Sequence, residues 1–152
     1  MAVTKEKIKV LFLCTGNSCR SQIAEGWARH LKPGTIEPYS AGICPAPINP
    51  RAIAVMARAG VDISVQMPKH IEELSDINFD FVVTLCDDAR QNCPAWPLKS
   101  RLVHRPFEDP SFMTGTEEQI MAAFRKVRDQ IKDFVKKMPK NLKESAKNHR
   151  EQ

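Results

Sequence analysis

Apolar and polar positions change period several times along this chain, and each change marks an element. Ile8 and Val10–Leu13 form a short apolar run that reads as a strand buried on both faces. A polar stretch, Cys14–Ser21, follows directly. Ile23, Ala24, Trp27, Ala28 and Leu31 then recur at three- and four-residue spacing, which predicts an amphipathic helix stopped by Pro33-Gly34. Ile36–Ser40 is a second strand. A Pro-rich loop, Cys44–Pro50, leads into a helix carrying Ala52, Ile53, Val55, Met56 and Ala59, ended by Gly60. Val61, Ile63 and Val65 alternate, but Met67-Pro68 limits them to a short extended piece. Phe79–Cys86 predicts a third buried strand and Leu102–His104 a shorter fourth. Glu117 to about Met138 predicts a last helix, with Ile120, Phe124, Val127, Ile131 and Val135 on one face.

Strands alternating with helices imply an α/β domain with a four-stranded parallel sheet and helices on both faces. No internal repeat or linker divides the chain. Residues 1–138 are expected to form one domain and residues 139–152 a flexible basic tail. In such sheets ligands bind beyond the carboxyl ends of the strands. Cys14, Cys86 and Asp109 all fall at predicted strand ends or in the loops beyond them, so they are expected to gather on one rim.

Composition sharpens this picture. The 152 residues are 42% hydrophobic and 27% charged, as expected of a folded chain rather than a disordered one. The longest apolar run, Val10–Cys14, is far short of the roughly 20 residues of a membrane span. Met1–Lys7 lacks the apolar stretch of a secretory signal, so a cytoplasmic location is expected. There five cysteines do not suggest a static disulfide framework; they are structural thiols, metal ligands or reactive groups. The formal charge is +5, but residues 125–152 carry a net +6 and the rest a net −1. The basicity therefore reads first as a solvated helix face and a frayed end. No nucleic-acid or membrane partner is expected.

Cys14-Thr-Gly-Asn-Ser-Cys-Arg-Ser21 lies between a buried strand and a helix. A helix N-terminus offers unpaired N–H groups and a positive dipole end, which suit an oxyanion. Gly16 and Asn17 tolerate positive φ, letting the successive N–H groups of Thr15, Gly16, Asn17, Ser18 and Cys19 curl inward as an anion nest. Arg20 adds a guanidinium fork. Cys14 sits where such a field yields a thiolate at neutral pH, and Ser21 is placed to donate its hydroxyl to it. Cys86 and Cys93 admit two readings: a buried thiol beside an incidental surface thiol, or a redox pair. In a helix their Cα atoms would lie ~10 Å apart, whereas a disulfide needs about 7 Å or less. The segment is short, rich in Asp and Asn, and ends at Cys-Pro, so it is poorly committed to helix. Zinc fits poorly, since neither Cys-x2-Cys spacing nor clustered His is present. None of the four His is assigned a catalytic role, and no cofactor or metal is expected.

The run Cys14–Trp27, followed in order by Tyr39-Ser-Ala-Gly42, Asn49-Pro50, Val82–Cys86 and Asp109-Pro110, resembles the thioredoxin-coupled arsenate reductases of the low-molecular-weight protein tyrosine phosphatase superfamily. The likeness covers roughly residues 8–136. It implies a flavodoxin-like three-layer sandwich acting on arsenate, in arsenic detoxification. It further implies a relay in which Cys14 is the nucleophile, Cys86 the first resolving thiol and Cys93 the second, with thioredoxin as reductant. Asp109 takes the general-acid position, although an Asp-Pro turn alone would explain it. Some relatives bind potassium at positions matching Asn17, Glu25 and Ser40; Lys69 would supply that charge here, so no potassium dependence is expected. Cys19 is expected to be oxidation-sensitive but dispensable, and Cys44 has no assigned role. The rival readings are a low-molecular-weight protein tyrosine phosphatase working through a phosphocysteine, and a non-enzymatic binding role for the basic tail. Weak phosphatase side activity and a monomeric state are expected.

Overall fold

The structure, a computed structural model, describes residues 6–91 and 100–150, with side-chain surroundings to residue 146. Four strands, β1 (Ile8–Cys14), β2 (Ile36–Gly42), β3 (Phe81–Thr84) and β4 (Arg101–His104), form a parallel sheet in the order β2-β1-β3-β4. Val10–Cys14 of β1 and all of β3 are buried at consecutive positions, so both faces are covered, as their unbroken apolar runs require. Two neighbours of β1 are reached by chain segments leaving in opposite directions. Its carboxyl end is therefore the switch point at which such a sheet opens a crevice, and Cys14 is the last residue of that strand.

The helices are α1 (Arg20–Leu31), α2 (Pro50–Arg58), α3 (Asp87–Gln91), α4 (Glu117–Lys136) and α5 (Lys140–Arg150). α2 starts with Asn49 as N-cap, its side chain accepting from Arg51 N–H, and Pro50 at the first turn. α4 opens on a capping box, Thr116 with Gln119. Its buried stripe, Phe124, Val127, Ile131 and Val135, is the periodic set visible in the sequence. α4 packs on α1 and α2, and Trp27 of α1, fully buried, donates its indole N–H to Arg128 O across that contact.

Several observed elements differ from the expected ones. β2 runs on to Gly42 because its ladder with β1 continues to Cys14. β3 stops at Thr84, leaving Cys86 beyond the strand. Val61–Val65, expected to be a short extended piece at most, forms no strand among the described residues, with Ile63 buried and Val65 exposed. Most plainly, the segment expected to be a flexible tail is the helix α5, which packs against β4 with Leu142 and Ala146 buried. Burying Leu142 alone is worth roughly 1.5–3 kcal/mol, which outweighs a charge pattern that read as solvated. No helix among the described residues is long and apolar enough to cross a membrane.

Candidate active site

The Cys14–Ser21 loop is built around Asn17, which is wholly buried at φ +49°, in the left-handed region that Asn tolerates better than most residues. Its side chain holds it there. Asn17 Nδ2 donates to Ser21 Oγ (2.9 Å), Oδ1 accepts from Lys69 N–H (2.9 Å), and its carbonyl accepts from Gln22 Nε2 (2.9 Å). Gly16 does not adopt positive φ, so of the two permissive residues only Asn17 makes the left-handed turn. Ser21 Oγ lies 2.8 Å from Cys14 Sγ. Because that oxygen already accepts from Asn17, its own proton is free to be donated to a Cys14 thiolate.

α1 begins with Cys19 as N-cap, and Cys19 makes no side-chain capping bond. The first-turn N–H groups are thus left for an anion rather than consumed by the protein. The loop, Arg20, Asp109 and Phe112 enclose a cavity of about 210 Å3 with Cys14 in its wall. A larger groove of about 760 Å3 beside it shares Asp109 and Phe112 but lacks Cys14 and Arg20; the chemistry belongs to the smaller one. Cys19 is buried, and burial, reinforced by Asp109 and Cys14, pushes its thiol far above the usual range. The expected oxidation sensitivity of Cys19 does not follow, because a buried neutral thiol is a poor target.

Arg20 is fixed by two partners. Nη1 donates to Phe107 O (3.0 Å) and Nη2 pairs with Asp109 Oδ2 (3.3 Å). Asp109 Oδ1 in turn accepts from the backbone N–H (2.9 Å) and hydroxyl (2.7 Å) of Ser111. The Asp-Pro turn is present, and Asp109 lines the cavity together with Arg20. An oxyanion seated on Arg20 would compete with Asp109 for the same guanidinium.

Cys86 follows β3 and precedes α3. Its carbonyl accepts from Arg90 N–H (3.2 Å) and its sulfur accepts from Ala89 N–H (3.3 Å), so it caps that short helix. Thr15, the residue after Cys14, places its Oγ1 3.3 Å from Cys86 Sγ and donates to Asp88 Oδ2 (3.0 Å). The stretch read as poorly committed to helix is helical over Asp87–Gln91. Cys93 lies outside the described residues. The free cysteines described are Cys14, Cys19 and Cys86, all buried, and Cys44, exposed.

Behind the loop, Lys69 Nζ donates to Ser40 O (2.9 Å) and lies 3.9 Å from Glu25 Oε1, which accepts from Ser40 Oγ (2.7 Å). Glu25 also pairs with Arg29 (3.0 Å). Burial pushes the Lys69 ammonium below the usual lysine range, against the pull of Glu25 and Glu73. Its ammonium thus stands against Ser40 and Glu25, while its backbone N–H holds Asn17. No group of three or more His, Cys, Asp or Glu that could hold a metal occurs among the described residues.

The rim thus collects Cys14, Thr15, Gly16, Ser18, Cys19, Arg20, Ser21, Asp109 and, through Thr15, Cys86. Sequence reasoning missed Gly42 and Phe112. A Cβ on Gly42 would sit 2.7 Å from Thr15 O and 2.8 Å from Asn17 N, so only glycine lets β2 end against the loop backbone. Its place in the Tyr39–Gly42 match was the available signal. Phe112 is 82% exposed at the cavity mouth, which no local pattern foretells.

Comparison with known proteins agrees with this geometry. The model of the low molecular weight phosphotyrosine protein phosphatase family matches residues 9–148. An arsenate reductase of Bacillus subtilis is 47% identical over 129 residues, 84% of this chain and 91% of that protein. One from Staphylococcus aureus strain Newman is 43% identical over 130 residues, 83% of this chain and 92% of that protein. A solved arsenate reductase in the phosphate-binding state superposes with a TM-score of 0.73 at 37% identity, covering 89% of this chain and 95% of that one.

Proposed function

The chain belongs to the low molecular weight phosphotyrosine protein phosphatase family, and we propose that within it the protein is an arsenate reductase working by a cysteine relay. The observation that carries this reading is the second thiol at the loop. Thr15, adjacent to Cys14, touches Cys86 Sγ at 3.3 Å, and a hydrolase needs no thiol there.

Arsenate is seated by the N–H groups of Thr15–Cys19 and by Arg20. The Cys14 thiolate, with Ser21 as hydroxyl donor at 2.8 Å, attacks arsenic(V) and forms an S–As bond. The departing oxygen leaves as water after taking a proton from Asp109. The Cys86 thiolate then attacks Cys14 sulfur. The S–As electron pair passes to arsenic, which leaves as arsenite, arsenic(III), and a Cys14–Cys86 disulfide forms. Cys93 attacks Cys86 and releases the Cys14 thiolate. The resulting Cys86–Cys93 disulfide is reduced by the dithiol of thioredoxin in ordinary thiol–disulfide exchange. Bonding Cys86 to Cys93 calls for α3 to unwind, and a five-residue helix offers little resistance. The protein acts as a soluble cytoplasmic monomer in arsenic detoxification, with weak aryl phosphatase activity because the same loop accepts phosphate.

The test is arsenate-dependent NADPH oxidation with thioredoxin and its reductase. Wild type turns over, and Cys14→Ser, Cys86→Ser and Cys93→Ser each lose turnover. Normal turnover by Cys93→Ser, or aryl phosphate hydrolysis far faster than arsenate reduction, sinks the reading. The second result would favour a phosphatase working through a phosphocysteine at Cys14.

A further inference from the structure

We propose that His104 is a positioning residue for Cys86, holding the start of α3, and with it the Cys86 sulfur, against the oxyanion loop. This rests on reading Cys86 as the second thiol.

His104 bridges the two sides of Cys86 in the chain. Its Nδ1 lies 2.8 Å from Thr84 Oγ1, two residues before Cys86, and its Nε2 lies 3.0 Å from Asp87 Oδ1, one residue after. An ionised carboxylate only accepts, so Nε2 carries the proton. In the neutral ring Nδ1 then accepts the Thr84 hydroxyl. The ring itself is anchored. His104 is opposite Thr84 in the β3–β4 ladder, and Arg105 N–H donates to Thr84 O (2.9 Å). The imidazole is therefore a strap from a fixed sheet edge to the first residue of a helix too short to hold its own place.

A second strap, Thr15 to Asp88, comes from the oxyanion loop. His104 comes from β4, and the ring's partners, Thr84 and Asp87, do not line the cavity. Removing it should loosen Cys86 and leave the anion site intact. The His104–Asp87 pair is exposed on the Asp87 side, with that side chain 81% accessible. Exposed pairs add little to stability, so its effect falls on geometry. Attack of one sulfur on another is sensitive to such geometry, because small misplacements cost large factors in rate and effective concentration.

The experiment uses full-length protein carrying Cys93→Ser, so that the Cys14–Cys86 disulfide accumulates. The protein is equilibrated with mixtures of reduced and oxidised glutathione, and the disulfide is measured by mass. Adding His104→Leu should lower the effective concentration of the Cys14–Cys86 pair roughly tenfold. His104→Gln, which keeps an N–H for Asp87, should restore most of it. Protection of Cys14 from iodoacetamide by inorganic phosphate should be unchanged in both. Parent-like disulfide formation in His104→Leu overturns the proposal, and so does a loss of phosphate protection, which would mark a general structural role. No arsenate is present, so failure of arsenate reduction leaves this measurement standing. A parent forming no Cys14–Cys86 disulfide at any glutathione ratio sinks the relay and this proposal together.

Discussion

The two cysteines at the rim are held in contrasting ways. Cys14 ends a buried central strand, and the loop after it is fixed by the Asn17 bonds, two buried and one part-buried. Cys86 sits between a four-residue strand and a five-residue helix whose first two carboxylates are gripped by His104 and Thr15 in exposed contacts. The first arrangement is rigid because many desolvated bonds must break together. The second can be exchanged one side-chain contact at a time. A group that must hold an anion calls for the first; a thiol that passes between partners calls for the second.

Cys14→Ser should produce the largest effect, abolishing arsenate turnover with the fold retained, as thermal melting would check. Turnover in that variant would mean the nucleophile lies elsewhere. Gly42→Ala comes next. Its Cβ meets backbone atoms of the loop that cannot swing aside, so activity should fall at least tenfold and stability by about 1–3 kcal/mol. A well-active variant would show the loop to be softer than its bonds suggest. Arg20→Lys keeps the charge but loses the fork, and kcat/KM should fall roughly tenfold to a hundredfold. Lys69 should make wild-type activity indifferent to exchanging sodium for potassium. A several-fold potassium response would mean the ammonium does not replace a cation there. The smallest effect concerns chemistry outside the relay: under native conditions iodoacetamide should modify exposed Cys44 before buried Cys19, and peptide mass mapping would read the order. Faster labelling of Cys19 would contradict the closed loop.

Much of this architecture was legible from local pattern. The strand–polar loop–helix succession at Ile8–Leu31 is present as expected, and the α4 stripe matched its buried face, because periodicity reports burial directly. The ends of elements were less legible. Whether β2 stops at Ser40 or Gly42 depends on pairing with β1, and whether residues after 139 fray depends on packing against β4 that no local charge count describes.

By itself, the sequence singled out the residues proposed to carry the chemistry. A thiol, permissive turn residues and a guanidinium at fixed spacing between strand and helix already specify an anion-binding nucleophile loop, since each acts through backbone a few residues away. Only the tertiary structure decided who stands beside whom across the chain: Thr15 against Cys86, Arg20 against Asp109, Lys69 behind Asn17, and His104 astride Cys86. Those partnerships span from 17 to 89 residues of sequence. They follow from the strand order β2-β1-β3-β4, which brings distant strand ends to one rim and which short-range spacing does not encode.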